Sequence, residues 1–307
     1  MAKAKPFIKW AGGKGQLIEQ LEALLPADFD KRGNVNYIEP FVGGGAMLFY
    51  MLQAHPNIQS AVINDINPDL TDCYRTIRDN PFVLISILED IQAQYYSLGN
   101  EESRKLFFME CRERYNAKGL TKEDNSALFI FLNRTCFNGL YRVNKAGKFN
   151  VPFGKAVAPT ICDSSTLLSD SEILQKVTIL TGDFEQTMEF ADNDSFFYFD
   201  PPYRPLSSTS YFNDYSKEAF NDEAQIRLKK FCDRLNSLGI SFMLSNSDGK
   251  SLNPDDTFFE DLFAGYSINR VWASRMINSN ASKRGKLSEI LVNNYLSHNQ
   301  TNLLSCI

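Results

Sequence analysis

The sequence predicts an α/β protein, with a mostly parallel sheet interrupted by an inserted, mostly helical domain. Three observations lead there. Strand-like apolar runs ending in glycine or acid occur before residue 69 and again from Lys176 onward. Between them, apolar residues recur at helical spacing and no strand–helix alternation appears. Finally, the aromatic run Ser195-Phe-Phe-Tyr-Phe-Asp-Pro-Pro-Tyr203 ends abruptly in a proline pair. Proline fixes φ and cannot donate to a sheet, so a buried strand must stop there. The expected division is therefore 1–68 with 176–307 as one domain and 69–175 as the insert.

Taken in order, Pro6-Phe-Ile-Lys-Trp-Ala-Gly-Gly-Lys-Gly15 opens the chain and leads into a helical pattern from Gln16 to Leu25, stopped by Pro26. The glycine pair permits close backbone approach, and Lys14 can reach an anion or carboxylate. A phosphate-binding P-loop is excluded, because Ile8 stands at its first glycine and Gly15 at its Ser/Thr. Next, Asn36-Tyr-Ile-Glu-Pro-Phe-Val-Gly-Gly-Gly-Ala46 runs into an apolar helix through Met47, Leu48, Tyr50 and Leu52. Strand, glycine turn and helix form the nucleotide-cradling unit of a Rossmann-like sheet. Leu48 sits where a dinucleotide site needs its third glycine, which disfavours NAD. Ser60-Ala-Val-Ile-Asn-Asp65 reads as a second strand, and its terminal carboxylate suits ribose hydroxyls. The alternative for Asp65 is to cap the helix that begins at Asn67.

The insert contains helical patterns over Leu70–Ile77, Phe82–Tyr95, Arg104–Lys118 and Asn125–Cys136. It closes with Leu140–Val143 and Lys148–Val151 flanking Asn144-Lys-Ala-Gly147, a hairpin signal. The sheet resumes with Lys176-Val-Thr-Ile-Leu-Thr-Gly-Asp-Phe184, whose acid–aromatic end matches the edge and face of an adenine. After the organising strand come a helix over Ser216–Leu238 and a buried strand over Ile240–Ser247. Strands near Tyr266–Trp272 and Leu287–Asn294 complete the sheet.

Asp200 and Pro201 each precede a proline and are held extended, making a rigid turn at a strand's carboxyl end. That corner offers the Asp200 carboxylate and nearby carbonyls as acceptors, with the Tyr203 ring behind them. It suits a flat ring bearing an NH2 group. The plain alternative is a strand that simply ends in a proline loop.

Composition limits the partners. The net charge is −5, yet Asn125–Cys162 contains no acid and carries Arg134, Arg142, Lys145, Lys148 and Lys155. Leu262–Ser288 likewise lacks acid and carries Arg270, Arg275, Lys283, Arg284 and Lys286. Two basic stretches on an acidic body can steer a polyanion. Six cysteines (73, 111, 136, 162, 232 and 306) form no CxxC pair and there are two histidines, against a zinc site or a disulfide framework. No apolar run reaches membrane-spanning length and no signal-peptide core follows Met1, so a cytoplasmic location is expected.

Together the segments Lys9-Trp-Ala-Gly-Gly-Lys14, Glu39-Pro-Phe-Val-Gly-Gly-Gly45, Asn64-Asp-Ile-Asn67, Asn138-Gly-Leu-Tyr-Arg142, Gly182-Asp-Phe184, Asp200-Pro-Pro-Tyr203 and Arg284-Gly-Lys-Leu-Ser-Glu289 resemble the Dam-like family of DNA adenine-N6 methyltransferases (D12 class), and their order resembles the α group. The likeness covers nearly the whole chain. It implies S-adenosylmethionine as cofactor, a sheet with one reversed strand over Leu287–Asn294, and double-stranded DNA as partner. Cofactor contacts are implied at Trp10, Lys14, Phe41, Gly43, Gly45, Asp65, Asp183, Phe184 and Asp200. Asp200, Pro201, Pro202 and Tyr203 are implied to be catalytic. The insert and hairpin are implied to read DNA through Lys9, Arg134, Phe137, Asn138, Leu140, Arg142, Asn144 and Pro152. Members acting on GATC resemble the chain at Lys9, Phe137, Asn138, Leu140, Arg142 and Pro152, with Phe137 entering the base stack and Arg142 contacting a guanine. Gly15 departs from members that carry a cation after the lysine. No metal and no membrane are implied, the source is expected to be bacterial or phage with nucleoid association, and any cognate restriction endonuclease would act beside the enzyme without binding it. Cytosine N4, RNA adenine and a protein amide are the rival acceptors, and a DNA binder without catalysis is the rival from another class.

Overall fold

A computed structural model describes residues 2–204, 220–251, 253–274 and 286–297. Strands β1 (Val35–Glu39), β2 (Ile58–Asp65), β3 (Val177–Thr181), β4 (Ser195–Phe199), β5 (Ser241–Ser247), β6 (Ser267–Ser274) and β7 (Lys286–Asn293) form a seven-stranded sheet in the order β3-β2-β1-β4-β5-β7-β6. β1, β4 and β5 run parallel, while β7 is antiparallel to both β5 and β6. This is the Rossmann-like architecture the sequence predicts, including its reversed strand. The order reverses at β1 and β4, so their carboxyl ends are where an open α/β sheet binds ligands.

Clustering of contacts divides the chain into two compact units. The first comprises Met1–Gly13, Val42–Ala54 and Ile63–Phe184, and the second Lys14–Phe41, His55–Val62 and Glu185–Ile307.

In the second unit, β4 is buried along its whole length, and Asn36, Tyr37 and Ile38 pair with Ser195, Phe196 and Phe197. Aromatic side chains on both faces fix the register: Phe29 and Tyr37 pack on Phe196, and Phe231 packs on Phe197 and Phe199. The expected helix from Gln16 to Leu25 is instead a 3-10 turn, Lys14–Gln16, followed by the short helix α1, Ile18–Glu22. Leu17 stands at its N-terminus and offers no side-chain cap, so the first orphan N–H groups gain no partner from it.

In the first unit, α2 (Ala46–Ala54) follows the glycine turn, and α3 (Pro68–Asp79), α4 (Pro81–Ser97), α5 (Glu101–Ala117), α6 (Lys122–Thr135) and α7 (Ser164–Leu174) follow it in the chain. Residues Ser126 to Asn133 of α6 are all buried, as befits a helix that α3, α4 and α5 surround. Asn67 caps α3 by accepting from the Asp69 and Leu70 N–H groups, and Pro68 occupies the first turn. Capping therefore falls to Asn67 rather than Asp65. The hairpin forms without regular strands. Val143 bridges Phe149, Cys136 bridges Phe153, and the Asn144 Oδ1 accepts from the Ala146 and Lys148 N–H groups to close the turn.

The helix expected over Ser216–Leu238 is α8, Asp222–Ser237, capped by Asn221; residues 216–219 lie outside the described residues. A further short helix, α9, spans Phe258–Leu262. No described helix is long and apolar enough to cross a membrane.

Candidate functional site

In the second unit, the turn after β4 is built much as its prolines dictate. The Pro202 carbonyl accepts from Gln225 Nε2, the Arg204 N–H donates to Asn246 Oδ1, and the Arg204 carbonyl accepts from Ser247 Oγ. Downstream, the Arg204 guanidinium pairs with Asp222 (2.8 Å) and Asp256 (2.9 Å) and lies 4.2 Å over the Phe258 ring. The turn is thus pinned on both sides.

The Asp200 carboxylate accepts from Ser245 Oγ at 2.9 Å and from the Lys14 ammonium at 2.7 Å. The same ammonium lies 4.6 Å from the Tyr203 ring centroid and 3.8 Å from Glu289. Tyr203 donates its hydroxyl to Glu289 Oε2 at 2.5 Å. Burial, with Asp200 and Glu289 nearby, pushes the Tyr203 phenol well above its ordinary value, so it stays a neutral donor. Beneath, Tyr198 contacts Ser245 Oγ at 3.5 Å, and Tyr37 donates to the buried Glu39. Phe41 meets Phe220 edge to face at 5.5 Å.

In the first unit, the glycine turn is drawn onto the end of β2. Asp65 accepts from the Gly43 N–H (3.1 Å) and the Asn67 N–H (2.9 Å), and the Gly43 carbonyl accepts from Tyr74. Gly43 has φ +49°, and a Cβ there would lie 2.8 Å from the Trp10 ring, so the indole packs directly on the turn. The Gly182 carbonyl accepts from Asn64 Nδ2 and its N–H donates to the Asp65 carbonyl, which brings the end of β3 beside Asp65. Phe184 is buried and Asp183 exposed. Burial raises the Asp65 carboxyl, and the N–H groups it accepts oppose that rise. Carboxylate, bare glycine backbone and aromatic ring fit a nucleoside cofactor.

The proposed DNA-reading residues also fall in the first unit. Asn133 is buried and joins two segments, bonding the Lys9 N–H and carbonyl and the Gly139 carbonyl. Lys9 lies across Gly139, where a Cβ would be 2.6 Å from its Cδ. The Phe137 N–H donates to the Pro152 carbonyl, and Gly154 approaches the Cys136 carbonyl too closely for any side chain. This presents Phe137, 52% exposed, beside exposed Asn138 and Leu140. Arg142 and Asn144 are exposed, and Arg142 donates to Asn150. Arg134 differs: its guanidinium donates inward to the Phe7 carbonyl and its buried Nε has no partner among the described residues. In the second basic stretch, Arg270 pairs with Asp248 and Glu260 rather than facing outward alone, and Arg275, Lys283 and Arg284 lie outside the described residues.

Sequence reasoning overlooked Ser245, Asn246 and Gln225. A signal existed for the first two, since Ser245-Asn-Ser247 places polar groups at the carboxyl end of an otherwise apolar strand. Tyr141, which stacks on Trp10 at 5.6 Å and 23°, gave none.

Residues 10–277 match the family model described as D12 class N6 adenine-specific DNA methyltransferase. The chain is 47% identical over 297 residues to the type II methyltransferase M.MjaIII of Methanocaldococcus jannaschii, covering 95% of this chain and all of that one. It is 38% identical to the type II methyltransferase M1.LlaDCHI of Lactococcus lactis subsp. cremoris, with 95% of each chain covered. It is 32% identical to a DNA adenine methylase of Vibrio cholerae, covering 95% and 96%.

Proposed function

We propose that this chain, which belongs to the D12 class of N6 adenine-specific DNA methyltransferases, methylates adenine within duplex GATC after turning the base out of the stack. The observation that carries this reading is the Lys14 ammonium held between Asp200 and the Tyr203 ring. It marks a ready-made site for an aromatic amine.

Adenine N6 is a weak nucleophile because its lone pair is delocalised into the ring, and in a duplex it is paired. Extruding the base costs a few kcal/mol. In the site, the Asp200 carboxylate and the Pro201 carbonyl accept hydrogen bonds from the N6 amino group, which localises the lone pair on nitrogen. Tyr203 stacks on the ring. Pro202 holds the backbone so that the two acceptors stay aligned, and Ser245 fixes the carboxylate by donating to it. Such alignment can supply about 7–11 kcal/mol of the barrier.

S-adenosylmethionine supplies, when bound, a methyl group already activated for nucleophilic attack. Trp10, Lys14, Phe41, Gly43, Gly45, Asp65, Asp183, Phe184 and Asp200 would hold it. Asp65 would accept from ribose hydroxyls while its accepted N–H bonds keep the glycine turn in place.

Residues 69–175 serve target recognition, and 1–68 with 176–307 serve catalysis. Lys9, Asn138, Leu140, Asn144 and Pro152 present a DNA-facing surface, Phe137 fills the stack, and Arg142 donates to a guanine, a contact worth about 1–3 kcal/mol of discrimination. Arg134 supports that surface from beneath. Support for GATC comes from these residues, and relatives named DNA adenine methylases support adenine as the acceptor. Relatives named type II methyltransferases support a role beside a restriction endonuclease.

Tritiated methyl transfer to duplexes containing GATC, GTAC or no adenine tests the reading. Label confined to GATC and recovered as N6-methyladenine is expected. Label on other adenine sites would discard the assignment of specificity, and no label on any DNA would discard the function.

A further inference from the structure

Lys9 lies in an opening segment, residues 2–13, that belongs to no helix or strand, so no regular ladder fixes its backbone. A side chain does. Asn133, in the last turn of α6 and 1% exposed, accepts the Lys9 N–H through Oδ1 and donates through Nδ2 to the Lys9 carbonyl, each at 2.8 Å. Its Nδ2 also donates to the Gly139 carbonyl at 2.8 Å. One amide thus uses both of its donor hydrogens to join the opening segment to the loop after α6. The Lys9 stem completes the junction. Gly139 has φ +65°, and a Cβ there would lie 2.6 Å from Lys9 Cδ and 2.7 Å from Lys9 Cβ, so only glycine leaves room beneath the stem. The loop has other ties of its own. The Phe137 N–H donates to the Pro152 carbonyl and the Gly154 N–H to the Thr135 carbonyl, while Arg142 bonds Asn150 through its side chain and its carbonyl. What these ties leave to Asn133 is the placement of Lys9.

Resting on the proposed reading of Lys9 as a DNA contact, we infer that Asn133 is a positioning residue for sequence discrimination, holding Lys9 against Gly139 so that its cation reads one base pair. A lysine ammonium is a point charge on a flexible four-carbon stem. Left free, it neutralises phosphate without regard to sequence. With both backbone groups bonded and the stem laid across Gly139, few placements of the ammonium remain, and one base edge can be told from another. Lys9 stays exposed although its backbone is tied, so the cation remains available to DNA. Asn133 itself is buried and touches no base. It acts through Lys9.

The test measures methyl transfer by the full chain, as kcat/KM on the duplex it methylates and on duplexes with one base pair substituted at a time. Lys9→Met keeps most of the stem and removes the cation, and the base pair at which its discrimination falls is the one Lys9 reads. At that base pair Asn133→Ala is expected to lose discrimination about tenfold. At the base pair where Arg142→Ala loses discrimination, Asn133→Ala should match the wild type. Gly139→Ala forces Lys9 off its seat with Asn133 intact; it should reproduce the same pattern, and it keeps the test open if Asn133→Ala does not fold. The decisive variant combines Asn133→Ala with Lys9→Met. It should discriminate no worse at the Lys9 base pair than Lys9→Met alone, whereas an independent structural contribution would add to the loss. Equal loss at every base pair, additive loss in the double variant, or a Lys9→Met loss without an Asn133→Ala loss overturns the inference alone. Discrimination unchanged by Lys9→Met at every base pair removes the reading of Lys9 and the inference with it, and no transfer to any duplex by the wild type removes the proposed function as well.

Discussion

Asp170 gives the sharpest quantitative prediction. It sits on α7 with no exposed surface, accepts the Lys5 N–H at 3.0 Å through one oxygen, and buries the other without a partner among the described residues. Burial raises its carboxyl from an ordinary 3.8 to about 8. The folded chain therefore keeps a proton that the unfolded chain has released, and folding takes up a proton across that window. Stability consequently falls as pH rises from about 4 toward 8, by about 1.4 kcal/mol per pH unit. Measured against a neutral side chain, the cost reaches roughly 4 kcal/mol at pH 7. Asp170→Asn preserves an acceptor for Lys5 and removes the titration, leaving an NH2 group where the protonated acid has its own unpartnered O–H. Urea unfolding of both proteins between about pH 5 and 8 should show the variant gaining on the wild type as pH rises. Parallel curves would refute the argument.

The remaining predictions concern the site. Asp200→Ala should abolish methyl transfer while its unfolding transition shows a folded protein; substantial residual activity would remove Asp200 from its role. Gly43→Ala forces a side chain into a left-handed residue 2.8 Å from the Trp10 ring, and cofactor affinity measured by calorimetry should drop about tenfold or more, as expected for strain of about 1–3 kcal/mol. An unchanged affinity would separate Gly43 from the cofactor. Arg142→Ala should cost about 1–3 kcal/mol in discrimination against a changed guanine, read as kcat/KM on substituted duplexes, whereas equal loss on every duplex would make Arg142 a phosphate contact.

How far the sequence could be read depended on whether a feature is fixed locally. The prolines after Asp200 restrict their own backbone, so a rigid acceptor corner was legible before any tertiary contact was known. Gly43 was legible for the same reason. The reversed strand β7 came through family resemblance, because no local chemistry in Leu287–Asn294 distinguishes parallel from antiparallel pairing. Asp65 was left between binding and capping, since both use a carboxylate at the same place; the structure gives the cap to Asn67, two residues on. The hairpin was anticipated from Asn144 and Gly147, but its arms pair only at isolated bridges, and turn residues report the reversal rather than the regularity of what flanks it.

What escaped was relational. Arg134 has the same composition signal as Arg142, yet one donates to the Phe7 carbonyl and the other to Asn150 within the hairpin. Position on the helix determines that difference: Arg134 lies on α6 among buried positions, whereas Arg142 stands in the loop beyond it. The partnership of Lys14, Asp200, Tyr203 and Glu289 joins residues up to 275 positions apart in the chain, and no spacing rule spans such a distance. The motifs marked each member singly, and only the folded sheet assigns them to one another.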